Sequence, residues 1–156
     1  MHDDYLAITD TVYCYATGLD LRDWALYRSI FTEEVAMDFS AWDQIPPYRI
    51  RADDLTENVR VYFAGLDATQ HSMTNPRVRI EGDKARCIVY MQAEHFLEDQ
   101  QPSRRFVIGG YYTDDLVRTA DGWKLCAVKL SVLWTRGDRG FMLDAAERGR
   151  RRLQQP

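Results

Sequence analysis

Val89-Tyr90-Met91-Gln92-Ala93-Glu94-His95 forms the end of a predicted β-strand. Val89, Met91 and Ala93 share one parity and therefore one face of the strand, and His95 follows on that same face. An imidazole at the end of an apolar row lies against the core, where burial and neighbouring groups set its pKa. We therefore expect His95 to form one wall of a pocket.

Length, composition and cysteine content limit the class of protein. With 156 residues, 46% of them hydrophobic and 28% charged, the chain suits one soluble domain with a single core. A net charge of −4 does not favour nucleic acid, and no stretch approaches the roughly 20 apolar residues that cross a bilayer. Cys14, Cys87 and Cys126 lack CxxC spacing, which argues against disulfides and zinc. Without a signal-peptide pattern, the chain is expected in the cytoplasm, with no nucleic-acid or membrane partner.

Helical patterns fill most of the N-terminal half. Tyr5, Ile8, Val12 and Tyr15 recur at helical spacing within residues 3–18, and Gly18 is the expected end of that helix. Two further helices are predicted at about 21–31 and 53–65, with a strand at 35–40 and a loop at 41–52 between them.

In the rest of the chain, polar and apolar residues alternate over long stretches, which indicates β-strands. We predict strands at 70–81, 84–97, 104–118 and 123–136, with a bulge at Pro76 because the apolar parity changes there. In the last strand the apolar row continues through Trp134, which places Arg136 on the inner face. This order indicates an α+β fold, with three N-terminal helices on a strongly curved, mostly antiparallel sheet. Residues 1–140 form the domain, and 141–156 form a helical or frayed tail whose basic run, 148–152, is expected in solvent.

Several polar residues are expected on the inner face at the ends of these elements. Asp20 lies at the first helix junction, while His71 starts one strand and His95 ends the next, so the two histidines share one end of the sheet. Tyr15 lies five residues before Asp20. Simpler roles stay open: Asp20 as the N-cap of the second helix, the histidines and Tyr15 as core residues, and Arg136 in a surface ion pair.

The order of elements resembles the NTF2-like, or SnoaL-like, superfamily of cone-shaped α+β folds. Gly-Leu-Asp-Leu-Arg-Asp-Trp (18–24), Thr-Gln-His (69–71) and Glu-His-Phe (94–96) resemble the segments of scytalone dehydratase that carry its catalytic Asp and two His. That resemblance implies catalytic roles for Asp20, His71 and His95, whereas the tyrosines of that branch are replaced by Leu19 and Phe39.

Bile acid 7α-dehydratase is a second similar branch. Its Tyr, Asp, His and late Arg correspond to Tyr15, Asp20, His71 and Arg136, and its second acidic group falls near His95. The resemblance implies acid–base chemistry without a cofactor or metal, in a homo-oligomer of two or three copies.

Dehydration beside a carbonyl needs a base, an acid and a donor for the developing enolate. We expect Asp20 to orient and charge one histidine, with His95 favoured, while His71 and His95 exchange the substrate protons. Tyr15 and Tyr112 are candidates to bind the carbonyl oxygen, and Arg136 to hold a carboxylate or hydroxyl. The apolar candidates for substrate contact are Trp42, Tyr48, Phe63, Met73 and Met91.

These residues predict a dehydratase (lyase) that acts on a hydrophobic small molecule, a hydroxylated cyclic or polycyclic carbonyl compound of polyketide, steroid or terpenoid type. Two alternatives remain. A cyclase or isomerase would use the same His–Asp pair without releasing water, and a binding or structural subunit would have no converging acid–base groups.

Overall fold

The computed structural model describes residues 2–98, 103–137 and 140–154. It is an α+β fold in which helices pack on one face of a curved, unclosed six-stranded sheet, as the sequence predicts. The strand order is β2-β1-β6-β5-β4-β3. The elements are α1 (His2–Leu21), α2 (Trp24–Ser29), β1 (Phe31–Asp38), α3 (Ser40–Asp43), β2 (Tyr48–Arg51), α4 (Ala52–Ala64), β3 (Ala68–Glu81), β4 (Lys84–Leu97), β5 (Arg104–Thr119), β6 (Gly122–Arg136) and α5 (Phe141–Gln154).

The core lies between the helices and the inner face of the sheet. Along β4, Cys87, Val89, Met91, Ala93 and His95 are all buried, and the residues between them are more exposed. This confirms the inward row that the alternation of the sequence predicts, because side chains on one face of a strand share one parity. His95 therefore belongs to this row on the core side, which continues to Leu97 at the end of β4.

Two of the register shifts in the sheet bear on the predicted directions of side chains. The predicted bulge at Pro76 is confirmed, because the β3–β4 register shifts between Thr74 and Arg77 and Asn75 has a φ of 55°. A second shift, where Gly110 pairs with Val132 but Gly109 pairs with Trp134, was not predicted, although two consecutive glycines lie at this point of β5. The residue that it inserts reverses the parity of the last part of β6.

This second bulge corrects the position of Arg136. The residue pairs with Val107, which belongs to the outward parity of β5, and its side chain is exposed. The Trp134 indole turns outward as well and covers Gly109, where an added Cβ would lie 2.0 Å from the ring. Neither Trp134 nor Arg136 faces the interior, so the predicted inward direction of Arg136 is wrong.

The strands that come first and last along the chain, β1 and β6, are neighbours in the sheet. β1 pairs with β6 in parallel, with Phe31 opposite Leu125 and Met37 opposite Val128, while every other pair in the sheet is antiparallel. The predicted loop 41–52 contains a one-turn helix, α3, and the short edge strand β2. Both are too short to give a periodic pattern in the sequence.

The helices differ from prediction at both ends of the chain. α1 continues through Gly18 to Leu21, and Gly18 serves close packing instead, since a Cβ there would approach the Tyr27 Cβ to 2.9 Å. With α3 and α5 the structure has two helices more than the three predicted at the N-terminus.

The C-terminal segment forms a helix, one of the two alternatives that the sequence left open. α5 packs on α4, and Arg148 and Arg152 both bind the Asp67 carboxylate. The expectation that the basic run lies free in solvent is therefore wrong for these two arginines. None of the helices in the described ranges is both long enough and apolar enough to cross a membrane.

Candidate active site

A carboxylate–imidazole pair forms where α1 meets β3. Asp20 Oδ1 lies 2.7 Å from His71 Nδ1, and Asp20 Oδ2 accepts a hydrogen bond of 2.6 Å from the His71 backbone N–H. Thr69 Oγ1 donates to Asp20 Oδ1 at 2.9 Å. Burial opposes ionisation of Asp20, but its bonds from His71 and Thr69 outweigh burial and lower the pKa of the carboxyl. Asp20 is therefore an ionised acceptor that fixes the His71 ring.

The second histidine completes a compact group. The rings of His71 and His95 are 5.8 Å apart between centroids and nearly perpendicular, at 81°. On the sheet, Thr69 pairs with His95 and His71 with Ala93, so the two histidines are diagonal neighbours on the inner face. The predicted convergence of Asp20, His71 and His95 is therefore present.

The two histidines have different environments. His95 is 4% exposed, and its Nδ1 lies 3.3 Å from the Phe106 carbonyl oxygen, an acceptor that favours a proton on that nitrogen. Burial, followed by the proximity of His71, lowers the pKa of His95 to about 4. His95 is thus neutral at neutral pH, whereas His71 has a carboxylate beside it.

Asp20 binds His71 and not His95, which corrects the favoured pairing. The physical reason is that α1 packs chiefly on the edge strand β3 and touches β4 much less. The alternative role of Asp20 as an N-cap is excluded as well, because Asp23 caps α2 by accepting from the Leu26 N–H at 2.9 Å.

Aromatic and thioether groups surround the histidines. The Phe63 ring stacks on His71 at 6.1 Å and meets His95 edge-on at 6.3 Å. Trp42 packs on Phe106 at 5.4 Å, and Phe106 in turn lies 6.5 Å from His95. Met73 and Met91 face each other across β3 and β4. The predicted substrate contacts Phe63 and Met91 therefore belong to the apolar core, and Trp42 and Met73 pack against it.

A cluster of tyrosines lies behind this site. The Tyr15 ring is 5.3 Å from both Tyr27 and Tyr112, and all three are buried. Burial raises the pKa of Tyr15 to about 12 and holds that of Tyr112 well above its usual value, so both hydroxyls stay protonated. Asp114, two residues beyond Tyr112 on the same face, is also buried with Oδ1 unpartnered, and burial raises its pKa well above the usual range.

Two predicted substrate-binding residues lie apart from the histidines. Tyr48 pairs with Met37 on β2 at the edge of the sheet and is 39% exposed. Arg136 lies on the outer face, as described above. A groove of about 1090 Å³ also lies elsewhere, along the bulged half of β3 and its neighbours, lined in part by Arg77, Arg86 and Asp115.

Two residues beside the pair were not singled out from the sequence. Thr69 has the parity of His71, which places it on the same face, and this was the available signal. Arg22 follows Asp20 by two residues, and its Nη1 donates to Thr69 Oγ1 at 2.8 Å. Its direction depends on where α1 ends, which the sequence did not reveal. Within the described ranges, no three His, Cys, Asp or Glu side chains are placed to hold a metal ion.

Comparison with protein families gives one match. Residues 2–129 match the model of a SnoaL-like domain, which covers most of the chain. A curated relative, the terrestric acid biosynthesis cluster protein E of Penicillium crustosum, is 31% identical over 138 residues, 85% of each chain.

Solved structures share the fold over nearly the whole chain. The Kfla4162 protein of Kribbella flavida is 29% identical, with a TM-score of 0.83, over 96% of this chain and 98% of that one. A protein of Novosphingobium aromaticivorans assigned as an aromatic ring hydroxylase is 28% identical, with a TM-score of 0.80, over 94% of this chain and 98% of that one.

More distant structures show likeness of fold alone. A protein assigned as a scytalone dehydratase, also from Novosphingobium aromaticivorans, has a TM-score of 0.74 at 19% identity, over 89% and 93% of the two chains. The hexachlorocyclohexane dehydrochlorinase LinA-type3 of Novosphingobium barchaimii has a TM-score of 0.70 at 22% identity, over 90% of this chain and 96% of that one.

Proposed function

The chain belongs to the SnoaL-like domain family, and we propose that it is a cofactor-independent lyase that removes water from a hydroxylated cyclic or polycyclic carbonyl compound. The observation that carries this proposal is the Asp20–His71 pair, 2.7 Å between oxygen and nitrogen, with a second buried imidazole 5.8 Å away. A carboxylate that holds Nδ1–H leaves Nε2 of the same ring as a base, the arrangement used in general base catalysis.

In the proposed reaction, His71 Nε2 removes a proton from the carbon next to the carbonyl group. The electron pair of that C–H bond forms an enolate, and Asp20 stabilises the imidazolium without accepting its proton. The enolate then expels the hydroxyl group from the neighbouring carbon, and that hydroxyl takes the proton from His71 and leaves as water. Base and acid are restored in one turnover.

The other residues assist this step. His95 is neutral at neutral pH, so it orients the substrate hydroxyl by hydrogen bonding rather than by carrying the positive charge. Tyr15 and Tyr112 stay protonated and are the proposed donors to the carbonyl oxygen. Phe63, Met73 and Met91 supply an apolar surface for a hydrophobic ring system.

The comparisons support this class of reaction without identifying a substrate. One relative is named for the biosynthesis of terrestric acid, which favours small-molecule metabolism. Two proteins of the same fold are named as a scytalone dehydratase and as a dehydrochlorinase, and both names describe the removal of a small group to form a double bond.

A substrate screen with matched variants tests the proposal. Hydroxylated cyclic ketones would be incubated with the wild-type protein, with His71→Gln and with Asp23→Asn, which changes an aspartate that only caps a helix. We expect loss of one water from a compound, detected by mass spectrometry, with wild type and Asp23→Asn, and a rate lower by about 10²–10⁴-fold with His71→Gln. Full turnover by His71→Gln on a confirmed substrate would overturn the acid–base assignment.

An isomerase or cyclase is the second candidate. The low pKa of His95 favours it, because a neutral His95 cannot serve as a second, positively charged acid for a departing hydroxyl group. The same screen distinguishes the two, since an isomer has the mass of its substrate. A binding protein without catalysis would bind a compound and return it unchanged.

We also propose that the protein is a cytoplasmic homo-oligomer. Cys14, Cys87 and Cys126 are unpaired thiols, as in reducing compartments. Leu133 and Trp134 are 59% and 47% exposed on the outer side of the sheet, an apolar surface that a second copy would cover. Light scattering is expected to give two or three copies, and Trp134→Asp is expected to give monomers.

A further inference from the structure

Arg22 adopts a backbone conformation that arginine rarely takes. Its φ is 58°, and it follows α1 at the position where the Asp23 N–H returns to the Gly18 carbonyl at 2.9 Å and the Arg22 N–H to the Leu19 carbonyl at 3.3 Å. Glycine is the usual residue at such a helix end, because a Cβ is strained there. The backbone alone therefore does not require arginine at this position.

The guanidinium of Arg22 is held next to the Asp20–His71 pair. Nη1 donates to the Leu19 carbonyl oxygen at 2.5 Å and to Thr69 Oγ1 at 2.8 Å. Thr69 in turn donates to Asp20, so a continuous chain of hydrogen bonds runs from Arg22 to the imidazole. The Cζ atom lies 5.2 Å from the centre of the Phe63 ring, which also stacks on His71.

This cation lacks the carboxylate that most arginines of the protein have. Within the described ranges no Asp or Glu oxygen lies within ion-pair distance of Arg22, whereas Arg28, Arg86 and Arg148, for example, each bind one. Arg22 is half-buried, and burial lowers its pKa with only the more distant charge of Asp20 in opposition. Removing a guanidinium from water without a counter-charge is unfavourable, and an anionic ligand would relieve this cost.

One edge of the guanidinium is unused. All the hydrogen bonds that the Arg22 side chain makes with described residues leave from Nη1, and Nε and Nη2 make none. Nε and Nη2 are the two parallel donors that bind the two oxygens of a carboxylate side-on. Because Nη1 is anchored on Leu19 and Thr69, the guanidinium is held in a fixed orientation next to the Asp20–His71 pair.

We propose that the Nε–Nη2 edge of Arg22 is an anion subsite, and that the substrate carries a carboxylate or an equivalent acidic pair of oxygens. Arg22 takes the role expected of Arg136, which lies on the outer face. The claim about the substrate rests on the proposed function, but the anion subsite itself does not, since binding can be measured without turnover.

Binding of a matched pair of probes tests the subsite. Benzoate and benzamide have the same ring and differ in charge, and chemical-shift changes at the Thr69 and His71 amides report binding next to Arg22. We expect the wild-type protein to bind benzoate about tenfold more tightly than benzamide, and Arg22→Gln to lose that difference. Equal affinity of the wild type for both probes would overturn the proposal.

Control variants separate this role from a merely structural one. Arg105→Gln removes an arginine that pairs with Glu94 on the outer face, and should keep the preference for benzoate. Arg22→Lys keeps the positive charge but lacks the two parallel donors of the guanidinium, so it should keep part of the preference for benzoate. This variant also tests the subsite if Arg22→Gln does not fold. A folded Arg22→Gln with the full wild-type preference would place the anion elsewhere. His71→Gln should retain the preference even if the lyase proposal fails.

Discussion

Asp67 and Asp20 are two partly buried carboxylates with opposite consequences. Asp67 accepts from Arg148, from Arg152 Nη2 at 2.9 Å and from the Glu98 N–H at 2.7 Å. Asp20 likewise accepts three bonds, from the His71 ring, the His71 N–H and Thr69. In both cases burial opposes ionisation, and the donors outweigh it and lower the pKa of the carboxyl. The carboxylates themselves are therefore similar.

The difference lies in the partner cation. Arginine keeps its charge at any ordinary pH, so the Asp67 contacts hold α5 against the end of α4 permanently. An imidazole, unlike a guanidinium, can take up and release a proton during a reaction, so the Asp20 contact can support proton transfer. A carboxylate that fixes an arginine stabilises the structure, whereas one that fixes a histidine prepares a reaction.

Of the changes predicted here, Asp20→Asn should have the largest effect on catalytic turnover. We expect turnover to fall by about 10²–10⁴-fold, because an amide stabilises the imidazolium of His71 poorly and favours the wrong tautomer. Steady-state rates on the identified substrate measure it. Asp67→Asn is the matched control and should retain most activity, and equal losses in the two variants would remove the functional distinction.

The pH dependence of stability should reveal the neutral state of His95. Its folded pKa of about 4 is below the ordinary value of 6.5, so the unfolded chain binds more protons between these two pH values. The stability that this histidine contributes is complete above pH 6.5 and is lost as the pH falls to 4, with a total of about 3 kcal/mol. Urea unfolding at several pH values measures it.

His95→Phe provides the comparison for that experiment. This variant should show a smaller loss of unfolding free energy between pH 6.5 and 4 than the wild type, because it has no imidazole to protonate at that site. Identical pH dependence in both proteins would mean that His95 is not held neutral by burial.

Asp67→Ala should affect stability rather than chemistry. Loss of the acceptor of Arg148 and Arg152 is expected to cost about 2–3 kcal/mol of unfolding free energy, as for hydrogen bonds to a charged group. α5 should also become more sensitive to limited proteolysis, and mass spectrometry would locate the cuts. Unchanged unfolding free energy would show that packing alone retains α5.

Thr69→Val should give the smallest effect. It removes one donor to Asp20 and the acceptor of Arg22 at nearly constant volume, and we expect roughly a tenfold loss of kcat with little change in stability. Thr69→Ser keeps the hydroxyl and should retain the wild-type rate. If the valine and serine variants had equal rates, the hydroxyl would have no role in orienting Asp20.

The convergence of the histidines was predictable because it depends on strand parity and antiparallel neighbours. The partner of Asp20 was not, because it depends on α1 continuing three residues beyond Gly18, which brings Asp20 into the last turn of the helix. Arg136 was misplaced because the apolar pattern of β6 itself does not show the inserted residue, which reverses the face of everything after it; the only sign lies in the paired strand, at Gly109 and Gly110.

The parallel pairing of β1 with β6 joins strands that are distant along the chain. During synthesis, β1 leaves the ribosome long before its partner exists, and most of the protein must be made before that edge can be covered. Such a long-range parallel contact closes slowly and leaves an unpaired strand edge exposed to aggregation in the meantime. Refolding yield, more than final stability, is therefore the property of this molecule that should be most sensitive to protein concentration.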